Sequence, residues 1–143
     1  MENKFRAGIC LNPHPQKRHK GGEDACAVTS NLISVADGVG GWVESGIDPA
    51  IFSRKLCANI EKAGLAADEV ELMKPVQIMI DAVKNNKETG SSTCVICTLD
   101  KVAPVIYTAN LGDSGYMLLR KSGQDLDMLF RSKEQQHSFN FPY

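Results

Sequence analysis

The chain has 143 residues, a formal net charge of −1, 43% apolar and 23% charged residues, a balance that suits one globular domain and excludes a disordered or fibrous chain. Near-neutral charge makes no electrostatic case for nucleic acid or an anionic membrane, and no stretch approaches the roughly 20 apolar residues of a membrane span. Five cysteines and a polar start without an apolar signal centre read as reduced thiols in an intracellular protein, cytoplasmic by default, mitochondrial or plastid if the start is incomplete.

Residues 1–18 read as an irregular segment, with Pro13 and Pro15 bracketing His14 and the basic residues Lys17, Arg18 and Lys20 around His19. The texture changes at residue 25. Runs 25–29 and 32–36 are short and apolar around Ser30-Asn31, the pattern of a hairpin. The stretch SVADGVGGW then stops an apolar run at one acid, Asp37, followed by glycines. Asp48-Pro49 reads as a helix cap and first helical position. Ile51, Phe52, Leu56 and Ile60 recur at helical spacing toward Gly64, the expected stop. A second helix is predicted from near Pro75, with Val76, Met79, Ile80 and Val83 on one face, and residues 85–90 form a loop.

Strand patterns follow at 93–99, 105–111, 115–120 and 126–131. Asp100-Lys101, Gly112-Asp113-Ser114 and Lys121-Ser122-Gly123 punctuate them, with Asp100 expected to face solvent. There is no internal repeat and no low-complexity segment. Strands, then two helices, then strands indicate an α+β fold with antiparallel sheets.

The acids fall at strand ends. Glu23-Asp24 opens the first strand, Asp37-Gly38 closes the second, and Asp113 sits in a turn that closes a later one. In antiparallel neighbours the start of one strand lies beside the end of the next, so Glu23 or Asp24 meets Asp37 at one rim. Asp113 joins them if its strand ends at the same edge. Carboxylates gathered there repel unless a divalent cation sits between them, and Mg²⁺ or Mn²⁺ favours such oxygen ligands. Each acid, taken singly, also has a plain reading as a turn residue or a solvated strand entry.

GGEDACAV, SVADGVGGW, TGSSTCVICTLD and TANLGDSGYMLLR, in this order, resemble the metal-dependent type 2C serine/threonine protein phosphatases. SVADGVGGWVESGIDPAIFSRKL and FRSKEQQHSFNFPY resemble the branch that contains the mitochondrial and plastid enzymes. The resemblance covers residues 19–143 and implies a four-layer α-β-β-α sandwich of two antiparallel sheets. It also implies a centre of two Mg²⁺ or Mn²⁺ ions whose bridging hydroxide attacks phosphoserine or phosphothreonine in protein substrates. On this resemblance Asp37 is the catalytic candidate that bridges the metals, and Gly38 supplies a carbonyl. Glu23 is a ligand, Asp24 works largely through water, and Asp113 is associated with a third, weaker ion. Many members bind substrate phosphate through an arginine four residues before the acid matched by Glu23. Here that position is His19, with Arg18 and Lys20 beside it. The family's later Asp-Gly and Asp-Asp motifs would lie beyond Tyr143, which implies the N-terminal half of a catalytic domain. A catalytically incompetent fragment, or a pseudophosphatase serving as a binding module, is the alternative.

No Cys-x5-Arg phosphate loop is present. Cys94 and Cys97 have CxxC spacing, but residues three apart on a strand face opposite sides, so core packing is expected of them. Cys10, His14 and His19 read as a surface segment, Trp42 as a packing anchor, Ser91-Ser92-Thr93 as a polar strand entry, and His137 as plain surface.

Overall fold

A computed structural model describes residues 2–139, 141 and 142. Its centre is a four-stranded antiparallel sheet in the order β1 (Asp24–Val28), β2 (Leu32–Asp37), β3 (Cys94–Leu99) and β4 (Ile106–Leu111). Two helices cover one face. α1 (Pro49–Ala66) packs on β1 and β2, and α3 (Pro75–Lys84) packs on β3 and β4, with the short α2 (Glu69–Leu72) between them in sequence. No helix among the described residues is long and apolar enough to cross a membrane.

Alternation along the strands explains which face is covered. Ala25 and Ala27 of β1, Leu32, Ser34 and Ala36 of β2, Cys94 and Ile96 of β3, and Ala109 of β4 are buried. The register puts Ala27 beside Ser34, Ser34 beside Ile96, and Ile96 beside Ala109, one continuous floor under the helices. Small side chains on this floor let α1 come close. Gly64 shows how close: a Cβ there would stand 3.1 Å from Leu32 Cδ1 and 3.3 Å from Thr29 Cγ2. The helix therefore runs through this glycine to Ala66, since its job is close packing and not termination.

The helix starts follow local chemistry. Asp48 Oδ1 accepts a hydrogen bond from Ala50 N at 3.1 Å, and Pro49 takes the first helical position. Asp68 and Glu71 form a capping box for α2, a turn whose Asp-x-x-Glu signal lies plainly in the sequence. The faces differ from the spacing in part. Leu56 and Ile60 are buried, whereas Ile51 is exposed. On α3 the buried residues are Pro75, Ile78, Met79 and Ala82, while Val76, Ile80 and Val83 face outward. The apolar arc opposite Gln77, Asp81 and Lys84 is wider than the face that is buried, and tertiary packing chose the part carrying Ile78 and Ala82.

Beyond β4 the chain forms two separate hairpins, β5 (Met117–Ser122) with β6 (Asp125–Arg131), and β7 (Gln136–Ser138) with β8 (Phe141–Pro142). The first lies over the uncovered face of the main sheet, leaving a cavity of about 530 Å³ between Ile33, Cys97 and Ile106 on one side and Met117, Leu118 and Phe130 on the other. Cys97 thus faces this cavity while Cys94 is buried under the helices, opposite faces as strand geometry requires.

Two turns carry more structure than their sequence suggests. Asp100 is buried, its Oδ1 accepting from Val102 N at 2.8 Å and Ala103 N at 2.7 Å, and these bonds hold its carboxyl below the usual carboxylate range. Residues 2–14 form no regular element, yet Phe5 N donates to Ser30 O and Asn3 N to Lys101 O, both at 2.7 Å. Buried Asn31 returns the contact, donating to Asn3 O at 2.8 Å and Leu99 O at 3.1 Å.

Candidate metal centre

The opposite end of the sheet collects the acids. Asp24 and Asp37 are directly opposed Cα partners across β1 and β2, and alternation turns both toward the face that the helices leave uncovered. Glu23 precedes β1, and Asp113 follows β4 two residues beyond Leu111, at the same edge. Glu23, Asp37 and Asp113 line one cleft of about 380 Å³ together with Gly38, Gly40, Gly41, Thr93 and Lys17. The Asp37 carboxyl is pushed up to about 6, by burial first, then by the charge and hydrogen bond of Asp24, then by the charges of Asp113 and Glu23.

Backbone and hydroxyl contacts fix the spacing. Asp37 N donates to Thr93 Oγ1 at 3.0 Å, while Asp37 O accepts from Thr93 N and from Ser92 Oγ, each at 2.9 Å. Thr93 Oγ1 also shares a 2.7 Å hydrogen bond with Ser114 Oγ, beside Asp113. Glu23 O accepts from Gly38 N at 3.1 Å and from Ser53 Oγ at 2.6 Å, which ties the start of β1 to both β2 and α1. Gly38 is demanded by crowding, since a Cβ there would meet Pro49 O at 2.6 Å. Gly112, with φ +96°, packs against Thr93, where an added Cβ would stand 2.8 Å from Thr93 Cγ2, and the turn it makes sets Asp113 beside the others.

The serine and tryptophan contacts are structural. Trp42 Nε1 donates to Ser91 Oγ at 2.8 Å, pinning the glycine-rich turn Gly40–Ser45 to the entry of β3.

The donor set suits Mg²⁺ or Mn²⁺: hard carboxylate oxygens gather at one rim, and the Asp37 carboxyl is raised by burial first and by their negative charge second. No three His, Cys, Asp or Glu side chains among the described residues are already closed into a metal-holding cluster. Glu23 is paired with Lys17, whose Nζ donates to Glu23 Oε2.

Arg18, His19 and Lys20 are exposed and line no part of this cleft. Lys20 offers its carbonyl to Arg54 Nη2 at 2.9 Å. Lys17 is the basic residue that reaches the acids, and the sequence reading passed over it. The signal was faint: Pro15 opens a 3-10 turn, Pro15–Lys20, and glycines 21 and 22 with φ +80° and +79° fold the chain back, so that residue 23 returns beside residue 17. Phe141 and Pro142 also line the cleft, a wall that β7 and β8 bring in and that no pattern announced.

Comparison with known proteins agrees with this geometry. No family model matches the chain. It is 41% identical over 143 residues to "Probable protein phosphatase 2C 55" of Arabidopsis thaliana, covering 98% of this chain and 29% of that protein. It is 38% identical over 134 residues to "Protein phosphatase PTC7 homolog" of Xenopus laevis, covering 85% of this chain and 42% of that one. The solved structure of the photosystem II phosphatase PBCP superposes with a TM-score of 0.82 and 34% identity, over 94% of this chain and 51% of that one. The chain thus spans between about a third and half of the length of these relatives.

Proposed function

Because the chain belongs to the type 2C family of protein phosphatases, we propose that its acidic rim is part of a site that removes phosphate from phosphoserine and phosphothreonine in proteins, with Mg²⁺ or Mn²⁺. The observation that carries this reading is the convergence of Glu23, Asp37 and Asp113 on one cleft, with Asp24 directly across from Asp37. Asp37, Glu23, the Gly38 carbonyl and, through water, Asp24 are the groups that would hold two ions, with Asp113 serving a third, weaker one.

Divalent cations bound there lower the pKa of water toward neutrality and offset the charge of a phosphoryl group. This chain's own residues set the stage. The Thr93 hydroxyl holds the Asp37 backbone, and Gly38 lets β2 end against the start of α1, which fixes the depth of the carboxyls. Gly41 has nothing within 4 Å of an added Cβ and leaves the mouth of the cleft open to a protein substrate. No covalent nucleophile is called for. Burial pushes the Cys57 thiol up to about 12 and the Cys94 thiol up to about 11, so neither supplies a thiolate at neutral pH.

The β5–β6 hairpin, over the helix-free face of the main sheet, reads as the first piece of a second antiparallel sheet. With helices on both outer faces it would complete an α-β-β-α sandwich of four layers.

Calorimetric titration with Mn²⁺ tests the site, and Asp37→Asn is expected to abolish most of the affinity while Asp125→Asn, at the exposed start of β6, leaves it intact. Equal affinities for wild type and Asp37→Asn would sink the reading. A binding module without turnover is the second reading, favoured by the engagement of Glu23 with Lys17. A phosphopeptide assay with Mn²⁺ on this chain, beside a version extended through the rest of a type 2C domain, separates the two. Metal-dependent turnover by the extended chain supports the enzyme, and its absence from both supports the module.

A further inference from the structure

We propose that Lys17 is the cation that receives phosphate in this cleft, parked on Glu23 while the acids hold no metal and released when a divalent ion takes Glu23 over. This rests on the metal reading given above. It makes Lys17 the link by which the site admits a phosphorylated substrate only when it is charged with metal.

Three observations carry it. First, Lys17 is the one basic side chain among the described residues that line the cleft, whereas Arg18, His19 and Lys20 are exposed and line no part of it. Second, its backbone is held at both ends: Lys17 N donates to His14 O at 2.7 Å, and Lys17 O accepts from Gly22 N at 3.1 Å. Gly22 in turn is pressed against Pro13, where an added Cβ would stand 3.0 Å from Pro13 Cβ. The ammonium is therefore delivered to the acids by a braced turn and not by a loose tail. Third, the pair sits beneath Gly40, where an added Cβ would lie 3.3 Å from both Lys17 Nζ and Glu23 Oε2. A glycine here makes room for the pair, whose Lys17 end stays half-exposed while the Glu23 end is nearly buried.

Charge decides the direction of the coupling. Three carboxylates lining the cleft beside one lysine repel a phosphate dianion, so the metal-free cleft has little affinity for it. A divalent ion on Glu23 competes with the Lys17 ammonium for the same oxygen. Once displaced, Lys17 keeps its half-exposed, braced position and has lost the one acid with which it pairs among the described residues. A phosphoryl oxygen is then its best partner, through a charge-assisted hydrogen bond. Metal and phosphate consequently strengthen each other, and by reciprocity the effect is equal in both directions.

Lys17→Met and Lys17→Arg test this in calorimetry on the 143-residue chain, with Mn²⁺ alone and then with inorganic phosphate at saturating Mn²⁺. Lys17→Met is expected to bind Mn²⁺ about three- to tenfold more tightly than wild type, because a competitor is gone, and phosphate about tenfold more weakly. Lys17→Arg is expected to restore phosphate binding. Phosphate affinity unchanged in a Lys17→Met protein that retains its circular dichroism and melting transition would overturn the proposal. So would Mn²⁺ affinity that falls with Lys17→Met, since that would make Lys17 a support for the metal and not its rival. Wild type without Mn²⁺ affinity is a different failure: it removes the metal reading itself, and the role of Lys17 with it.

Discussion

Asp24 and Asp37 stand directly opposite one another at the open end of the β1–β2 hairpin, a like-charge cross-strand pair on the sheet face that the helices leave uncovered. Such a pair opposes folding unless a counter-charge is supplied. Burial first, and the charge of Asp24 second, raise the Asp37 carboxyl from an ordinary 3.8 to about 6. A carboxyl raised on folding favours the native state only while it is protonated. Its contribution is complete below pH 3.8 and is lost as the pH climbs through about 6. At neutral pH the metal-free protein carries the full repulsion. Asp37→Asn is therefore expected to stabilise the metal-free chain at neutral pH by about 1 kcal/mol after allowance for solvent screening, a rise of a few degrees in melting temperature. A variant that melts below wild type under those conditions would contradict this account.

Protons and cations compete for the same oxygens. Mn²⁺ affinity is expected to fall as the pH drops below about 6, by about tenfold per unit where one proton is displaced, and to level off above it. Titrations across that range give the slope directly. A flat profile from weakly acid to neutral pH would mean that Asp37 is not where the metal binds.

Gly38 makes a steric prediction. A methyl group 2.6 Å from Pro49 O has no rotamer to escape into, so Gly38→Ala must separate the end of β2 from the start of α1. A loss of about 1–3 kcal/mol in urea denaturation is expected, with Mn²⁺ affinity reduced in step. Gly41→Ala, which meets nothing within 4 Å, is the matched control, and similar losses in both variants would remove the steric explanation.

The β5–β6 hairpin exposes Met117, Leu119, Leu126, Met128 and Phe130 from its two faces. Unpaired strand edges and an apolar surface of this kind invite pairing with another copy. The isolated 143-residue chain is expected to self-associate at tens of micromolar in sedimentation velocity, and Leu126→Lys with Met128→Lys to raise the monomer fraction. Wild type that sediments as a sharp monomer at that concentration would refute it.

Much of this was legible because the governing signals are local. The Ser30-Asn31 turn, the Asp48 cap and the alternation of Ala25 with Ala27 act over a few residues, and the hairpin and α1 follow from them. The acids at strand ends could be placed at one rim by antiparallel pairing alone. What escaped depends on longer range. The face that α3 buries was chosen by β3 and β4, not by its own spacing. Gly64 reads as a stop until Leu32 is seen beneath it. Lys17 looked like one member of a basic run until two left-handed glycines turned it toward Glu23. Asp100 looked like a solvated turn because its partners, Val102 N and Ala103 N, belong to backbone that carries no sequence signature.

The least regular part of the chain is fastened at both ends of the sheet. Asn3 and Phe5 are sewn to the turns at one end, and Lys17 reaches the acids at the other. Residues 2–20 therefore work as a tether running the length of the strands. Its two anchorages are made separately, Asn3 and Phe5 on the turns at one end and Lys17 by its own turn at the other. A protease cut, a fused tag or a bound protein that lifts Asn3 away from Asn31 would slacken that tether. The lysine at its far end, held by its own turn through His14 O and Gly22 N, would keep its aim at Glu23.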